Sequence, residues 1–512
     1  MYLLFVAWKK VCNMKPRFIP ASVVSYLLGF SLFIFCVLSI AAENTKPVSD
    51  PAFDELLGGF ETTEKPESSN EPIDELMQGF DEPESVSSPT ADSLNTTDTD
   101  NIAANTGSIA EKKWRLTTLS SLSSSYSYQQ QTPVSGAADH RGLSRLKLKL
   151  QPELRYKHNS NWDSVLSLSG FYDASYRLKD RSTYTTETLD SNETELEIRE
   201  LYFRGTVNSS VDVKIGRQIV VWGKSDSLRV VDVLNPLDFR EPGMVDIEDL
   251  RLPVTMLKAD YYTGNWNISA IVIPEIRFNK MPAYGSDFYL GGDKKFPAET
   301  VPDDISNPEF ALALIGNFSG WDLSMHFASY YDDQPHFVNT TPSRLEHSHL
   351  NMAGITANVV KNSWLFKSEL AYIDGLEFAS VNNSFSRADV MVGIDYNGIA
   401  DMTFSVEAVN RHLFDYVSAL DSEKDNTLEN ENQVSLRYTA SFMHDKLQST
   451  LLISFFGLSP DDGGFYRASL DYEIDNAMSI IIGGIVYQSG DSVLLKNIAS
   501  NDRVFIDYRY TF

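Results

Sequence analysis

The segment Val504–Phe512, with the sequence VFIDYRYTF, alternates with a period of two. Its apolar face consists of Val504, Ile506, Tyr508, Tyr510 and Phe512. The opposite face consists of Phe505, Asp507, Arg509 and Thr511. Because successive side chains of a β-strand point to opposite sides, this alternation predicts a strand with one apolar and one mainly polar face.

A closing strand with an aromatic final residue resembles the C-terminal signal by which the bacterial assembly machinery recognises outer-membrane β-barrels. The residues that carry this resemblance are Tyr508, Tyr510 and Phe512. The resemblance implies two partners, the barrel-assembly machinery and outer-membrane lipids. An amphipathic strand can also end a soluble protein, so the rest of the sequence is needed to distinguish an outer-membrane barrel from a soluble protein.

Alternating segments recur from Trp114 onward. In the clearest of them, between Arg145 and Lys157, leucine and tyrosine on one parity face arginine, lysine and glutamate on the other. A strand of this kind separates lipid from water, or a core from solvent. Counting such segments predicts about eighteen strands. They are centred near 113–128, 143–157, 162–177, 194–207, 211–222, 253–263, 266–273, 309–317, 321–331, 350–360, 363–373, 387–396, 402–411, 432–442, 447–456, 465–474, 478–488 and 503–512.

The connections between these strands alternate strictly between long and short. An outer-membrane barrel with short periplasmic turns and long external loops has this order of connections. A soluble β-sandwich has no feature that would place all its long loops at one end. The sequence therefore predicts an all-β fold, a transmembrane antiparallel β-barrel over residues 113–512 in the bacterial outer membrane, with both termini periplasmic. A change of parity near Glu200 predicts a β-bulge. Such a wide barrel needs a channel or a plug in its lumen.

The first residues have the order of a secretory signal. Lys15 and Arg17 precede an apolar run, 23–40, which is followed by Ala41 and Ala42. This pattern predicts a signal peptide over residues 1–42, although the run is also long enough for an uncleaved anchor. The only cysteines of the chain, Cys12 and Cys36, lie in this leader. The mature chain is therefore expected to have neither disulfides nor thiol chemistry.

Residues 43–112 form an acidic, Ser-, Thr- and Pro-rich segment that predicts a disordered periplasmic tail. The tail contains one motif twice, at 53–60 and 73–80. In each copy the apolar residues recur at helical spacing, as Phe53, Leu56, Leu57 and Phe60 and as Ile73, Leu76, Met77 and Phe80. One hypothesis is that each copy folds as a helix when it docks into a groove of a periplasmic partner protein. The alternatives are solvated apolar spots or contacts with the barrel itself.

The third long connection carries the most specific motifs of the sequence. They are Gly216-Arg217-Gln218, Trp222-Gly223, Asn235-Pro236, Asp238 and Arg251-Leu252-Pro253. This arrangement resembles a group of large Gram-negative outer-membrane barrels classed as a domain of unknown function, several of which are encoded beside RND-type exporters. The resemblance implies a barrel and a role in transport, without a settled substrate.

A loop this long with several apolar residues is expected to fold rather than extend into water. If it folds into the lumen, opposed charges on it would narrow the pore and select permeants. The predicted constriction residues are Lys224, Asp226, Arg229, Asp232, Asp238, Arg240, Glu241 and Arg251. The alternative is that these charges pair to hold the loop against the inner wall, and that Asn235 and Pro236 only make a turn.

Catalysis, cofactors and metals find little support in the sequence. Gly490-Asp491-Ser492 lies in a predicted loop without the strand-to-helix context of a nucleophile, and no ligand cluster accompanies His347 and His349. The net charge of −27 disfavours nucleic-acid binding. We therefore expect a channel or transporter that passes a small solute or lipid-like substrate, not an enzyme. The alternative is a non-conducting outer-membrane scaffold whose tail recruits periplasmic proteins.

Overall fold

The computed structural model describes residues 113–133, 137–245, 247–302, 306–338, 343–422, 425–490 and 493–512. The predicted signal peptide, the predicted tail and both copies of its motif lie outside the described residues. The predictions made for them stay predictions.

Twenty strands follow one another along the described chain. They are β1 (Trp114–Ser127), β2 (Gly142–Lys157), β3 (Trp162–Asp173), β4 (Thr194–Asn208), β5 (Val211–Gln218), β6 (Val254–Thr263), β7 (Trp266–Ile273), β8 (Glu309–Phe318), β9 (Trp321–Tyr331), β10 (His336–Val338), β11 (Arg344–Glu346), β12 (His349–Lys361), β13 (Trp364–Leu376), β14 (Phe385–Ile399), β15 (Met402–Leu413), β16 (Asn430–Phe442), β17 (Leu447–Phe455), β18 (Gly464–Asp475), β19 (Met478–Gln488) and β20 (Arg503–Thr511).

Eighteen of these strands form one sheet, and the short strands β10 and β11 form a separate hairpin. Each strand of the large sheet pairs antiparallel with the next, and β1 also pairs with β20, so the sheet closes into a barrel. The predicted all-β transmembrane barrel of about eighteen strands is therefore confirmed. The predicted bulge is also present, because the register of β3 and β4 shifts opposite Glu200.

In the barrel, charged side chains face inward and apolar side chains face outward, which is the reverse of their arrangement in a soluble protein. On β13, the charged Lys367 and Glu369 are only 4% and 2% exposed, whereas Leu370 and Tyr372 are 47% and 48% exposed. The same alternation follows β12, β14 and β15. An outward apolar band around a polar interior is the distribution that a lipid environment requires.

Tryptophans mark the end of the barrel that carries the short turns. The first residue of β3, β7, β9 and β13, each of which follows a short turn, is a tryptophan. Several of these rings pack against neighbouring aromatics: Trp321 stacks on Phe318 with a centroid distance of 4.2 Å, and Trp364 lies tilted against Tyr396 at 4.5 Å. Amphipathic aromatic rings at this level form the girdle typical of a membrane–water interface.

Long loops at the opposite end contain the remaining secondary structure. The helices are α1 (Ser175–Leu178), α2 (Thr186–Asn192), α3 (Ile247–Leu250) and α4 (Val493–Ile498), with 3₁₀ turns at Arg181–Thr183, Ser418–Leu420 and Pro460–Asp462. Among the described residues, no helix has the length and apolar character needed to cross a bilayer. Three loops are named below: L3 (219–253) joins β5 to β6, L4 (274–308) joins β7 to β8, and L9 (489–502) joins β19 to β20.

Candidate functional site

Loop L3 crosses the lumen from one wall to the opposite wall. Its first half is bonded to β13 and β15, and its second half to β2. In the ring of 18 strands, β2 and β13 are nine strands apart in either direction, so they face each other across the barrel. The loop therefore spans the full width of the interior.

Two inward-facing carboxylates bind the backbone of the first half of L3. Glu369 on β13 accepts hydrogen bonds from the amides of Lys224, Ser225 and Val231. Glu407 on β15 accepts hydrogen bonds from the Asp226 amide at 2.9 Å, the Ser227 amide at 3.0 Å and the Ser225 hydroxyl at 2.6 Å. Carboxylates that accept several N–H groups make strong, charge-assisted bonds. The two side chains hold this half of L3 against the wall.

A single lysine bridges three carboxylates at this anchor. Lys367 Nζ lies 2.6 Å from the Asp226 carboxylate, 3.0 Å from Asp395 and 3.1 Å from Glu407. Removing the lysine from this buried group would leave its carboxylates uncompensated, which is strongly destabilising. Beside it, Lys224 of L3 pairs with Asp322 on β9 at 3.0 Å. Both Lys224 and Asp226 therefore bind the wall.

Close packing accompanies these bonds. Gly223 has a φ of 91°, and a β-carbon there would lie 2.9 Å from a carboxylate oxygen of Glu369. Trp222 is buried and its ring centroid lies 4.7 Å from that of His326 on β9. Apolar residues of L3, including Val230 and Val231, complete a cluster with the inner faces of β6 to β9 and β12 to β15. The Trp222-Gly223 motif is thus explained by contact with the wall.

Asp232 and Asn235 hold L3 together from within. Asp232 accepts from the Trp222 amide, pairs with Arg251 at 2.9 Å and lies 3.4 Å from Arg229. The fully buried Asn235 accepts from the Val220 amide and donates to the Leu252 carbonyl, both at 2.8 Å. The Pro236 carbonyl accepts from the Leu252 amide. These bonds tie the beginning of L3 to its end.

The second half of L3 carries a charged network that continues into L4. Arg240 pairs with Asp238 of L3 and, at 2.9 Å, with Glu195 on β4. Lys280 of L4 binds Glu195 at 3.0 Å and Glu197 at 2.8 Å. Burial alone would raise the pKa of the Asp238 carboxyl, but Arg240 outweighs it and holds that pKa below its usual range. The pair therefore stays ionised inside the barrel.

The part of L3 around Glu241 and Pro242 reaches β2 and β19. Glu241 pairs with Arg145 and lies 3.5 Å from Lys147, both on β2. Burial would raise the pKa of the Glu241 carboxyl, yet these two cations hold it far below its usual range. The Pro242 carbonyl accepts a 2.6 Å hydrogen bond from the Tyr487 hydroxyl. L3 is therefore tethered at both walls by ionic and neutral hydrogen bonds.

Loops L4 and L9 fold over the same wall. Phe288 of L4 is fully buried in an apolar cluster with Met244 of L3, Ile485 on β19 and Leu495 of L9. Arg503, at the start of β20, lies 4.5 Å above the Phe288 ring and 2.8 Å from the Asp287 carboxylate. The three loops therefore share one packed region near β19 and β20.

The residues predicted for barrel assembly lie on the closing strand. Tyr508 and Tyr510 face outward on β20, and Phe512 exchanges two backbone hydrogen bonds with Thr118 on β1. The sequence did not single out Lys367, Glu369 or Glu407 as residues of the site. Their inward parity was visible, but nothing in the sequence relates them to a loop more than a hundred residues earlier.

Several solved structures have a similar chain path. OccAB2 of Acinetobacter baumannii is 10% identical, with a TM-score of 0.47, and the match covers 78% of this chain and 98% of that chain. The outer membrane protein OpdK of Pseudomonas aeruginosa is 8% identical, with a TM-score of 0.45, over 78% and 98% of the two chains. Similarity at this level assigns no activity to this chain.

No relative among curated proteins matches the sequence significantly. A family model described as a protein of unknown function, DUF1302, matches residues 134–512. The match includes all of L3 and nearly the whole barrel, which confirms the resemblance to a barrel family of unknown function. The chain therefore belongs to the DUF1302 family.

Proposed function

We propose that this protein is an outer-membrane channel whose pore is narrowed by L3. The observation that carries the proposal is that L3 crosses the lumen between β2 and β13 and is fixed at both walls. A barrel of this strand number is too wide to be filled by its own side chains, so an internal loop sets the size of the opening. The ionised pairs of Asp238, Arg240 and Glu241 favour a small hydrophilic solute over a lipid-like substrate.

The proposal includes an orientation in the outer membrane. The barrel end with the short turns faces the periplasm, and the long loops that feed L3, L4 and L9 face outside. In this orientation the described chain enters β1 and leaves β20 at the periplasmic end, which supports the prediction that both termini are periplasmic. Treating intact cells with a protease or a labelling reagent tests this assignment. Cleavage or labelling confined to the long loops is the expected result.

Single-channel recording tests the function. The full mature chain is reconstituted into a planar bilayer, and we expect a stable open conductance. Arg240→Ala should change that conductance, because it removes the ion pairs of L3 with Asp238 and Glu195. Arg344→Ala, which removes an exposed pair with Glu346 in the β10–β11 hairpin, is the matched control and should conduct as the wild type does.

A bilayer that stays silent with correctly folded protein, shown by heat-dependent gel mobility, would contradict a channel. It would favour the second candidate, a scaffold that recruits periplasmic proteins. The duplicated motif at 53–60 and 73–80 is the observation behind this candidate. The scaffold requires Phe53→Ala with Phe80→Ala to lose a cross-linked periplasmic or RND-type partner. The channel requires the same double variant to conduct unchanged.

A further inference from the structure

Almost all cations inside the barrel are paired. Those of L3 and L4 bind carboxylates, as Lys224, Arg240, Arg251 and Lys280 do. In the described part of the chain, three strand cations away from the strand ends have neither an ion pair nor a hydrogen bond. They are Lys149 on β2, Arg199 on β4 and Arg509 on β20.

These three cations lie together on one stretch of wall. Lys149 and Arg509 are both register partners of Ser121 on β1, one from each side. Their backbones are therefore level and about 10 Å apart, twice the spacing of neighbouring strands. Arg199 lies in the bulge of β4. The positive charge of Lys149 is close enough to be repelled by the charges of Arg199, Arg509 and Lys147. The three side chains point into the lumen and are partly accessible there.

Acidic residues surround this group without neutralising it. Asp249 of α3 in L3 lies within electrostatic range of Lys149, Glu200 within range of Arg199, and Asp471 on β18 within range of Arg509. Among the described residues, no carboxylate is within ion-pair distance of any of the three cations. Like charges held close together without partners are costly, and an anion that enters between them relieves the cost.

We infer that Lys149, Arg199 and Arg509 form a binding station for an oxyanion, with a carboxylate or phosphate group, on the route past L3. The inference rests on the proposed channel and adds the chemical class of the permeant. Two guanidinium groups offer paired donors that fit carboxylate and phosphate oxygens, and the ammonium group adds a compact charge. Asp249 of L3 opposes anions at the same place and limits how tightly they are held.

Ion selectivity is the first test. The reversal potential of the full chain is measured in a KCl gradient, and the wild type should prefer anions. The triple variant Lys149→Gln, Arg199→Gln, Arg509→Gln should lower the anion-to-cation permeability ratio by roughly tenfold, because an enclosed charged wall concentrates counter-ions. Asp249→Asn should shift the ratio the opposite way. The double variant Lys258→Gln, Asp260→Asn removes a wall ion pair without changing the net charge of the lumen and should leave the ratio unchanged.

Binding is measured separately, so that the station and the channel can fail independently. Calorimetry of the detergent-solubilised full chain uses inorganic phosphate and, in a second series, succinate. Binding by the wild type and by the Lys258→Gln, Asp260→Asn variant, with loss in the triple variant, supports the station even if the bilayer is silent and the channel fails. Unchanged selectivity in the triple variant of a conducting protein would overturn the inference. So would equal binding by all variants, or no binding by the wild type.

Discussion

At the scale of single residues, Asn235 determines how L3 is folded. An asparagine that only makes a turn needs no more than a local hydrogen bond from its side chain. The Asn235 side chain instead joins two segments at the base of the loop, at Val220 and Leu252. Because the amide is fully buried, its truncation would leave an unsatisfied donor and an unsatisfied acceptor, each of which costs about 1–3 kcal/mol. The alternative that Asn235 only makes a turn therefore accounts for little of its contacts.

Asp502, in L9, gives a prediction for pH. Burial raises the pKa of its carboxyl to about 6, more than the hydrogen bond from the Tyr487 amide lowers it. The folded state thus holds the proton more tightly than the unfolded state. The stability that the protonated carboxyl contributes is fully present below about pH 4, and it is lost as the pH rises through the folded pKa of about 6. Asp502→Asn should raise the free energy of unfolding by about 3 kcal/mol at pH 7.5 and have no effect below pH 4.

Urea unfolding in lipid vesicles at both pH values measures this effect. Asp293→Asn, at an exposed position of L4, is the control and should leave the urea midpoint unchanged at both pH values. An equal stabilisation by Asp502→Asn at both pH values would mean that the burial of the charge is not its cause.

At the scale of elements, the position of L3 depends on strands that are distant in sequence. The double variant Glu369→Gln, Glu407→Gln removes the charged acceptors of its first half and leaves Lys367 with fewer carboxylates. We expect L3 to leave the β13–β15 wall, which should change the single-channel conductance and increase its noise. Lys367 keeps Asp226 and Asp395 as partners, so the expected loss of stability comes from the charge-assisted hydrogen bonds to L3, which contribute about 1.5–3 kcal/mol each.

Single-channel recording and tryptic cleavage within L3 both report this release. Glu431→Gln removes the same charge from β16, which carries none of the L3 contacts described above, and should behave as the wild type does. A quiet, wild-type conductance from the double variant would show that the apolar packing of Val230 and Val231 holds the loop without the carboxylates.

Sequence reasoning was successful where the physics is local. Alternation with a period of two depends only on neighbouring residues, and it located all eighteen barrel strands to within a few residues at most ends. The bulge at Glu200 was visible as a change of parity for the same reason. The Trp222 and Asn235 motifs drew attention to L3, but the partners of Asp226 and Glu241 could not be predicted. Those partners depend on which strands face each other once the ring is closed.

At the scale of the whole molecule, the outer surface should behave as a lipid-facing surface. Val392 on β14 is 57% exposed on that surface, and Leu458 is 74% exposed in a long loop. Val392→Lys should lower the free energy of unfolding by about 2–4 kcal/mol if it lies near the bilayer midplane, because the ammonium group would leave water for hydrocarbon. Leu458→Lys introduces the same charge in the loop and should have little effect. Similar small effects at both positions, measured by urea titration in vesicles, would contradict a membrane-spanning barrel.

The pairing of β1 with β20 has a consequence for how the molecule forms. Ser121 has partners in β2, early in the chain, and in β20, at the far end of the described sequence, so the second set of bonds cannot form until every other strand exists. Until then β1 and β19 are open edges that would pair with any available strand, including one from another copy. The barrel therefore has one seam whose contacts are the most distant in the described sequence, and contacts of such long range should make folding slow.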